Sequence, residues 1–248
     1  MKIFFKLIYE IICLAYSRVC TVFENYFLRR NFKSQLSLEK DGFLKITRKS
    51  KLNISKQRFD FVLNDNEMNF YSNKYQKKFI LSKEKLNSIV KLIFDGQFCH
   101  FLTSQTGFKY SIDFLGAYQN FPIPKKYIDK PWYANHYHLD KPNSKNMLKI
   151  FIPMSEIGIN DGPLELIDIN GQKQYLVGSL GDIFLCKLNV CPHKAGVPLE
   201  DNRTNLIMIQ LNPSRKWRLN ANLYKRQFKK EPKFTTFTNK FVRRMLLK

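Results

Sequence analysis

The chain has 248 residues, with 42 Lys and Arg against 20 Asp and Glu, and 44% of it is hydrophobic. That apolar content excludes a wholly disordered basic tail, and the length suffices for one large domain with attached segments. The net charge of +22 suits a phosphate-rich partner, an anionic membrane or an acidic substrate, but specifies no chemistry. The cysteines Cys13, Cys20, Cys99, Cys186 and Cys191 are odd in number and lack CxxC spacing, so a reducing compartment and a cytoplasmic protein are expected.

In chain order, the first expected element is a helix. Lys2, Lys6, Glu10 and Arg18 interrupt the apolar N-terminal run, leaving Ile11 to Ser17 as the longest uncharged stretch, far short of the ~20 residues of a spanning helix. At about 100° per residue, Lys2, Lys6, Glu10, Ser17, Thr21 and Glu24 share one stripe, and Ile3, Leu7, Ile11, Leu14, Val19, Val22 and Phe23 belong to a wide apolar face. Such a helix either docks on the domain or lies in a membrane interface. Residues 1–35 are therefore read as an amphipathic helical segment, 36–215 as the domain and 216–248 as a basic extension.

β-rich runs follow at Phe59–Leu63, Met68–Tyr71, Phe98–Thr103 and Phe108–Leu115, punctuated by Asn, Asp and Gly. One helix is expected among them, over Ser82–Phe94, with Ser82 as N-cap. Strands are then expected at Tyr133–Leu139, Met147–Pro153, Leu164–Ile169, Gln174–Val177, Asp182–Cys186 and Asn205–Leu211. The array predicts a mainly β domain with flanking helices, folded as a jelly roll, the double-stranded β-helix.

The charge avoids this strand-rich part. Residues 1–131 carry a net +12, residues 132–211 carry −1, and residues 212–248 carry +11. Basic residues near the C-terminus alternate with Trp217, Tyr224, Phe228, Phe234 and Phe237, and the closing Phe241–Leu247 stretch contains Arg243 and Arg244. This pattern fits either a surface-binding tail or a solvated basic face.

Three of the four histidines, His136, His138 and His193, lie in the neutral segment. His138-Leu139-Asp140 is an H-x-D: on an extended strand its first and third residues face the same side and can reach one ion. His193 is the candidate to complete the set across a jelly roll. Two imidazoles and one carboxylate on one face of an octahedron suit non-haem Fe(II), leaving positions open for a co-substrate and O₂. Arg203, ten residues after His193 at the start of a strand, offers a bidentate guanidinium to a carboxylate. His136 is the rival ligand. Cys191 has no second Cys/His pair at zinc spacing and reads as a buried thiol.

His138-Leu139-Asp140, Leu148-Lys149-Ile150-Phe151, Gly162-Pro163, Gly181-Asp182, His193 and Arg203, in this order, resemble the phytanoyl-CoA dioxygenase family of Fe(II)/2-oxoglutarate oxygenases over roughly residues 130–215. The resemblance implies that His138, Asp140 and His193 bind iron, that Arg203 holds the distal carboxylate of 2-oxoglutarate, and that Lys149 contacts the co-substrate or substrate. Trp132 and Tyr133 would line the entrance. The implied activity is hydroxylation of an unidentified small-molecule, lipid or glycan-type substrate; retention of Asp140 argues against halogenation, for which relatives replace this carboxylate with a small residue. Two departures bear on co-substrate geometry: Ala195 stands where a small hydroxyl residue is common, and Leu164–Asp168 is not followed by the usual Pro-Gly-Ser-His. The competing expectation is a non-catalytic basic protein that binds nucleic acid or an anionic membrane. No RNP motif, zinc finger or helix-turn-helix signature accompanies the charge, so nucleic-acid binding rests on charge alone.

Overall fold

The computed structural model describes residues 2–29, 37–47, 75–79, 83–93, 95–130, 132–140 and 143–220. The strands expected over 59–63 and 68–71, and the basic and aromatic residues beyond 220, lie outside these. Among the described residues the core is two antiparallel-dominated sheets, as the β-rich array predicts. The larger sheet contains β1 (Phe43–Ile46), β2 (Gln76–Phe79), β3 (Lys109–Asn120), β4 (Leu148–Pro153), β7 (Ile183–Cys186), β9 (Thr204–Ser214) and β10 (Arg218–Leu219), in the order β1-β7-β4-β9-β3-β10, with β2 also on β3. The smaller contains β5 (Glu165–Ile167), β6 (Lys173–Tyr175) and β8 (His193–Lys194), in the order β6-β5-β8. This is the double-stranded β-helix.

Side-chain alternation divides the large sheet into two faces. Ile150, Ile152, Ile183, Leu185, Ile207, Ile209 and Leu211 point outward into a cluster sealed by α2 (Ser37–Asp41), α3 (Lys83–Ile93) and α4 (Gly96–Thr106), which contribute Leu38, Ile89, Ile93, Phe98 and Leu102. Phe151, Phe184, Cys186 and Leu206 point the other way and pack with Leu164, Leu166 and Leu176 of the small sheet and its loops. The second cluster is the interior of the roll.

Three elements differ from expectation. Residues 133–139, expected as a strand, form bends and coil in which only His138 makes a β-bridge. Residues 98–103, predicted as a strand from their aromatic and β-branched content, belong to α4. Asp95 caps its N-terminus, accepting from the Gln97 and Phe98 amides at 3.0 and 3.1 Å, and Gly107 closes it with φ 75°. Phe98, Leu102, Gln105 and Thr106 are buried at helical spacing, so packing and caps outweigh β propensity. Trp217 and Arg218 also join the sheet region: β10 lies parallel to β3, and Trp217 packs 5.7 Å from Tyr110.

The N-terminal helix forms as predicted, as α1 (Lys2–Phe27), but it docks by its polar side. Cys13 and Ser17 are buried and Thr21 and Glu24 partly so. Glu24 accepts from Ser144 Oγ at 2.5 Å and Asn146 Nδ2 at 3.1 Å, and Thr21 Oγ1 accepts from the Lys145 amide at 2.9 Å. Burial raises the Glu24 pKa against these hydrogen bonds.

Candidate metal centre

The H-x-D motif and His193 meet through the backbone. His138 forms an antiparallel bridge with His193, its amide donating to the His193 carbonyl at 3.0 Å and its carbonyl accepting from the His193 amide at 3.0 Å. The bridge extends the small sheet beyond β8 and sets the imidazoles side by side, ring centroids 4.3 Å apart. Asp140, two residues on, is held by its amide, which donates to the Leu188 carbonyl at 3.0 Å. Asp140 Oδ1 then lies 4.0 Å from His138 Nε2 and 3.8 Å from His193 Nε2, and the three donor atoms fall within 4.8 Å of one another.

Each imidazole is oriented from behind. His138 Nδ1 lies 2.8 Å from the His136 carbonyl and His193 Nδ1 3.2 Å from the Cys191 carbonyl. A carbonyl only accepts, so each Nδ1 donates; in the neutral imidazole this tautomer leaves the lone pair on Nε2, the state a metal ligand requires. Burial, the largest effect, lowers the His193 pKa to about 4; the nearby Asp140 charge opposes the shift, while His138 and Lys149 add to it. His193 is therefore neutral at pH 7.

The donor set fits a divalent cation: two imidazole nitrogens and one carboxylate oxygen, chemically matched to iron, converge from three points of the chain. The second Asp140 oxygen is consistent with this. Oδ2 is buried without a hydrogen bond, and its countercharge is the Lys149 ammonium at 2.7 Å, an ion pair whose side chains are only 14% and 12% exposed. Lys149 reaches the site from β4, where it pairs with Cys186 of β7 and Gln210 of β9.

The other expected residues are distributed less evenly. His136 is exposed, and its contribution at the centre is its backbone carbonyl. Arg203 sits at the rim of the large sheet, its guanidinium 4.8 Å from the Phe121 ring centroid and one N–H on the Asn202 carbonyl at 2.6 Å. Among the described residues no carboxylate pairs with it, and no contact brings it to the three donors. Trp132 and Tyr133 pack with Tyr75, Ile123, Ala195 and Val197 and support the chain just after His193. Cys191 and Cys186 are fully buried.

The Gly162-Pro163 landmark has a steric cause. Gly162 has φ 68°, and a Cβ there would come 2.4 Å from the Pro198 nitrogen; a Cβ on Gly196 would come 2.2 Å from the Pro163 carbonyl oxygen. Two backbones cross here, and the crossing fixes the path from His193 to Arg203. Thr204 Oγ1 ties β9 to the same turn through the Gly162 carbonyl at 2.8 Å. On the opposite side, Glu165 binds Lys194 at 3.1 Å, Lys173 at 3.2 Å and the Tyr137 hydroxyl at 3.2 Å, joining the neighbours of both histidines. Burial opposes ionisation of Glu165, but the two lysines outweigh it and lower its pKa.

Tyr118 was missed in the sequence because the expected strand stopped at Leu115. It packs with the inner cluster, and burial first, then the charges of Asp140 and Cys186, raise its pKa, so it presents a neutral phenol near the centre. Its signal is the continued alternation of β3 beyond Leu115, which runs unbroken from Phe114 to Asn120.

No family model matches the chain, and no curated protein matches it. Solved structures do. The non-haem α-ketoglutarate-dependent epimerase SnoN from nogalamycin biosynthesis aligns with TM-score 0.50 at 11% identity, covering 71% of this chain and 79% of SnoN. HygX from Streptomyces hygroscopicus, with nickel and 2-oxoglutarate bound, aligns with TM-score 0.50 at 12% identity, covering 75% of this chain and 91% of HygX. At such identity the likeness establishes a shared fold.

Proposed function

We propose that this chain is an Fe(II)- and 2-oxoglutarate-dependent oxygenase related to the phytanoyl-CoA dioxygenase group, hydroxylating a small-molecule, lipid or glycan-type substrate in the cytoplasm. The observation that carries the reading is the convergence of His138 Nε2, His193 Nε2 and Asp140 Oδ1, with both Nδ1 protons committed to backbone carbonyls. SnoN, which is α-ketoglutarate-dependent, and HygX, which holds nickel and 2-oxoglutarate, share the fold and support this reading.

In this reading His138, Asp140 and His193 hold the iron. Bound iron with 2-oxoglutarate and O₂ supplies oxidative decarboxylation of the co-substrate coupled to hydroxylation of a C–H bond. The chain's own residues bind, orient and exclude water. The backbone carbonyls behind the histidines keep the Nε2 lone pairs aimed inward, and Lys149 neutralises the Asp140 oxygen that faces away from them. Arg203, with most of its N–H groups uncommitted in the described structure, receives the distal carboxylate of 2-oxoglutarate, and Lys149 contacts the co-substrate from β4. Phe151, Phe184 and Leu206 keep the interior dry.

The test is succinate formation from 2-oxoglutarate by purified protein with Fe(II), together with calorimetric Co(II) binding. Turnover that disappears in His138→Ala and Asp140→Ala, with Co(II) affinity lost in both, supports the proposal. Absence of metal binding by the wild-type chain overturns it.

A further inference from the structure

We infer that α1 is an interfacial helix whose outward apolar face lies in the surface of an anionic bilayer. The inference goes beyond the reading of the metal centre and rests on a different part of the molecule. α1 is an inside-out amphipathic helix. Its residues toward the protein, Cys13, Ser17, Thr21 and Glu24, recur at three- and four-residue spacing, and most are polar. Its outward arc, roughly two-thirds of the circumference at about 100° per residue, is mostly apolar, interrupted by the exposed Arg18 and Asn25. Leu7, Ile11, Val19, Val22, Phe23 and Tyr26 are 51% to 80% exposed. A helix held only by burial would turn this face inward, because each such side chain favours leaving water by about 1.5–3 kcal/mol. Instead, α1 is held by hydrogen bonds that Glu24, Thr21 and Asn25 accept from Ser144, Lys145 and Asn146.

Three observations select lipid as the occupant. The exposed apolar side chains recur from Phe5 to Phe27, about 34 Å of helix, a length that suits a plane. No helix among the described residues is long and apolar enough to cross a membrane, so α1 lies along the surface. Arg18 and Arg29 are exposed on α1 and just beyond it, and the chain carries +22, complementary to anionic headgroups and repulsive toward a second copy of itself. Phe23, Tyr26 and Phe27 form an aromatic group with centroids 4.8 Å apart at the C-terminal end of the helix, amphipathic enough at Tyr26 for the headgroup boundary.

The test is flotation of the full chain, without iron or 2-oxoglutarate, on phosphatidylcholine vesicles with and without phosphatidylserine. Binding is expected to require phosphatidylserine at low salt. In the triple variant Ile11→Ser, Val22→Ser, Phe23→Ser, partitioning is expected to fall at least tenfold, while circular dichroism and Co(II) binding are unchanged. Measurement at raised salt screens the basic residues elsewhere in the chain and reads the apolar face alone. The proposal is overturned if wild-type chain leaves anionic vesicles unoccupied, if the triple variant partitions like wild type at both salt concentrations, or if light scattering shows a dimer that the variant converts to monomer. Because the assay needs no turnover, its failure leaves the oxygenase reading untouched.

Discussion

The two faces of the large sheet are built from the same strands and have opposite chemistry. On β4, Ile150 and Ile152 face a helix-covered layer that is almost purely apolar, while Lys149 and Phe151 face the roll interior. The outer face binds helices and carries stability. The inner face holds Lys149 against Asp140 and Tyr118 nearby, an arrangement a core built only for stability would exclude, because burying charge costs more than burying carbon. A period-2 strand can serve both purposes, one residue apart.

The largest way to break this contrast is at the donors. Asp140→Ala or His193→Ala should reduce Co(II) affinity by about 100-fold or more, measured calorimetrically, with little loss of helix signal. Next is Lys149→Met, which leaves the Asp140 carboxylate buried without its countercharge. The metal-free chain should lose about 3–5 kcal/mol in urea unfolding, and saturating Co(II) should restore part of it. Ile150→Ala, one residue on and fully buried, should cost about 2–5 kcal/mol that metal does not selectively restore.

A smaller effect concerns pH. Folding lowers the His193 pKa from 6.5 to about 4, so the unfolded chain binds more protons between these values. This histidine should therefore cost the metal-free chain up to about 3 kcal/mol as pH falls from about 6.5 to about 4, and nothing further below. His193→Gln should flatten that part of the curve. The smallest effect lies on α1: Glu24→Ala, which strands the Ser144 and Asn146 donors, should cost about 1–3 kcal/mol.

Much of this was legible beforehand, for identifiable reasons. Strands β4, β5, β7 and β9 were visible as short apolar runs between turn residues, and α3 from its 3.6-residue period. The H-x-D spacing marked His138 and Asp140 as a pair, although the segment carrying them is a loop with one β-bridge at His138 and not the strand expected. Residues 98–103 were misread because Phe98, Cys99, Phe101 and Thr103 favour strands locally, and only the Asp95 and Gly107 caps and the packing beneath the sheet select the helix. Tyr118 was missed because the expected strand stopped at Leu115, whereas β3 runs on to Asn120. The amphipathicity of α1 was plain, but which side met the protein was not.

What the sequence by itself determined are properties carried by spacing: the helical stripe of α1, the period-2 strands, the H-x-D motif and the concentration of charge outside residues 132–211. Only tertiary structure decided what depends on which distant segments touch. It paired His138 with His193 across 55 positions of chain, placed Lys149 on Asp140 and Arg203 on Phe121, and turned the polar stripe of α1 inward. The physical reason is that periodicity defines a surface, whereas the partner of that surface is selected by the balance of burial, hydrogen bonding and charge over the whole fold.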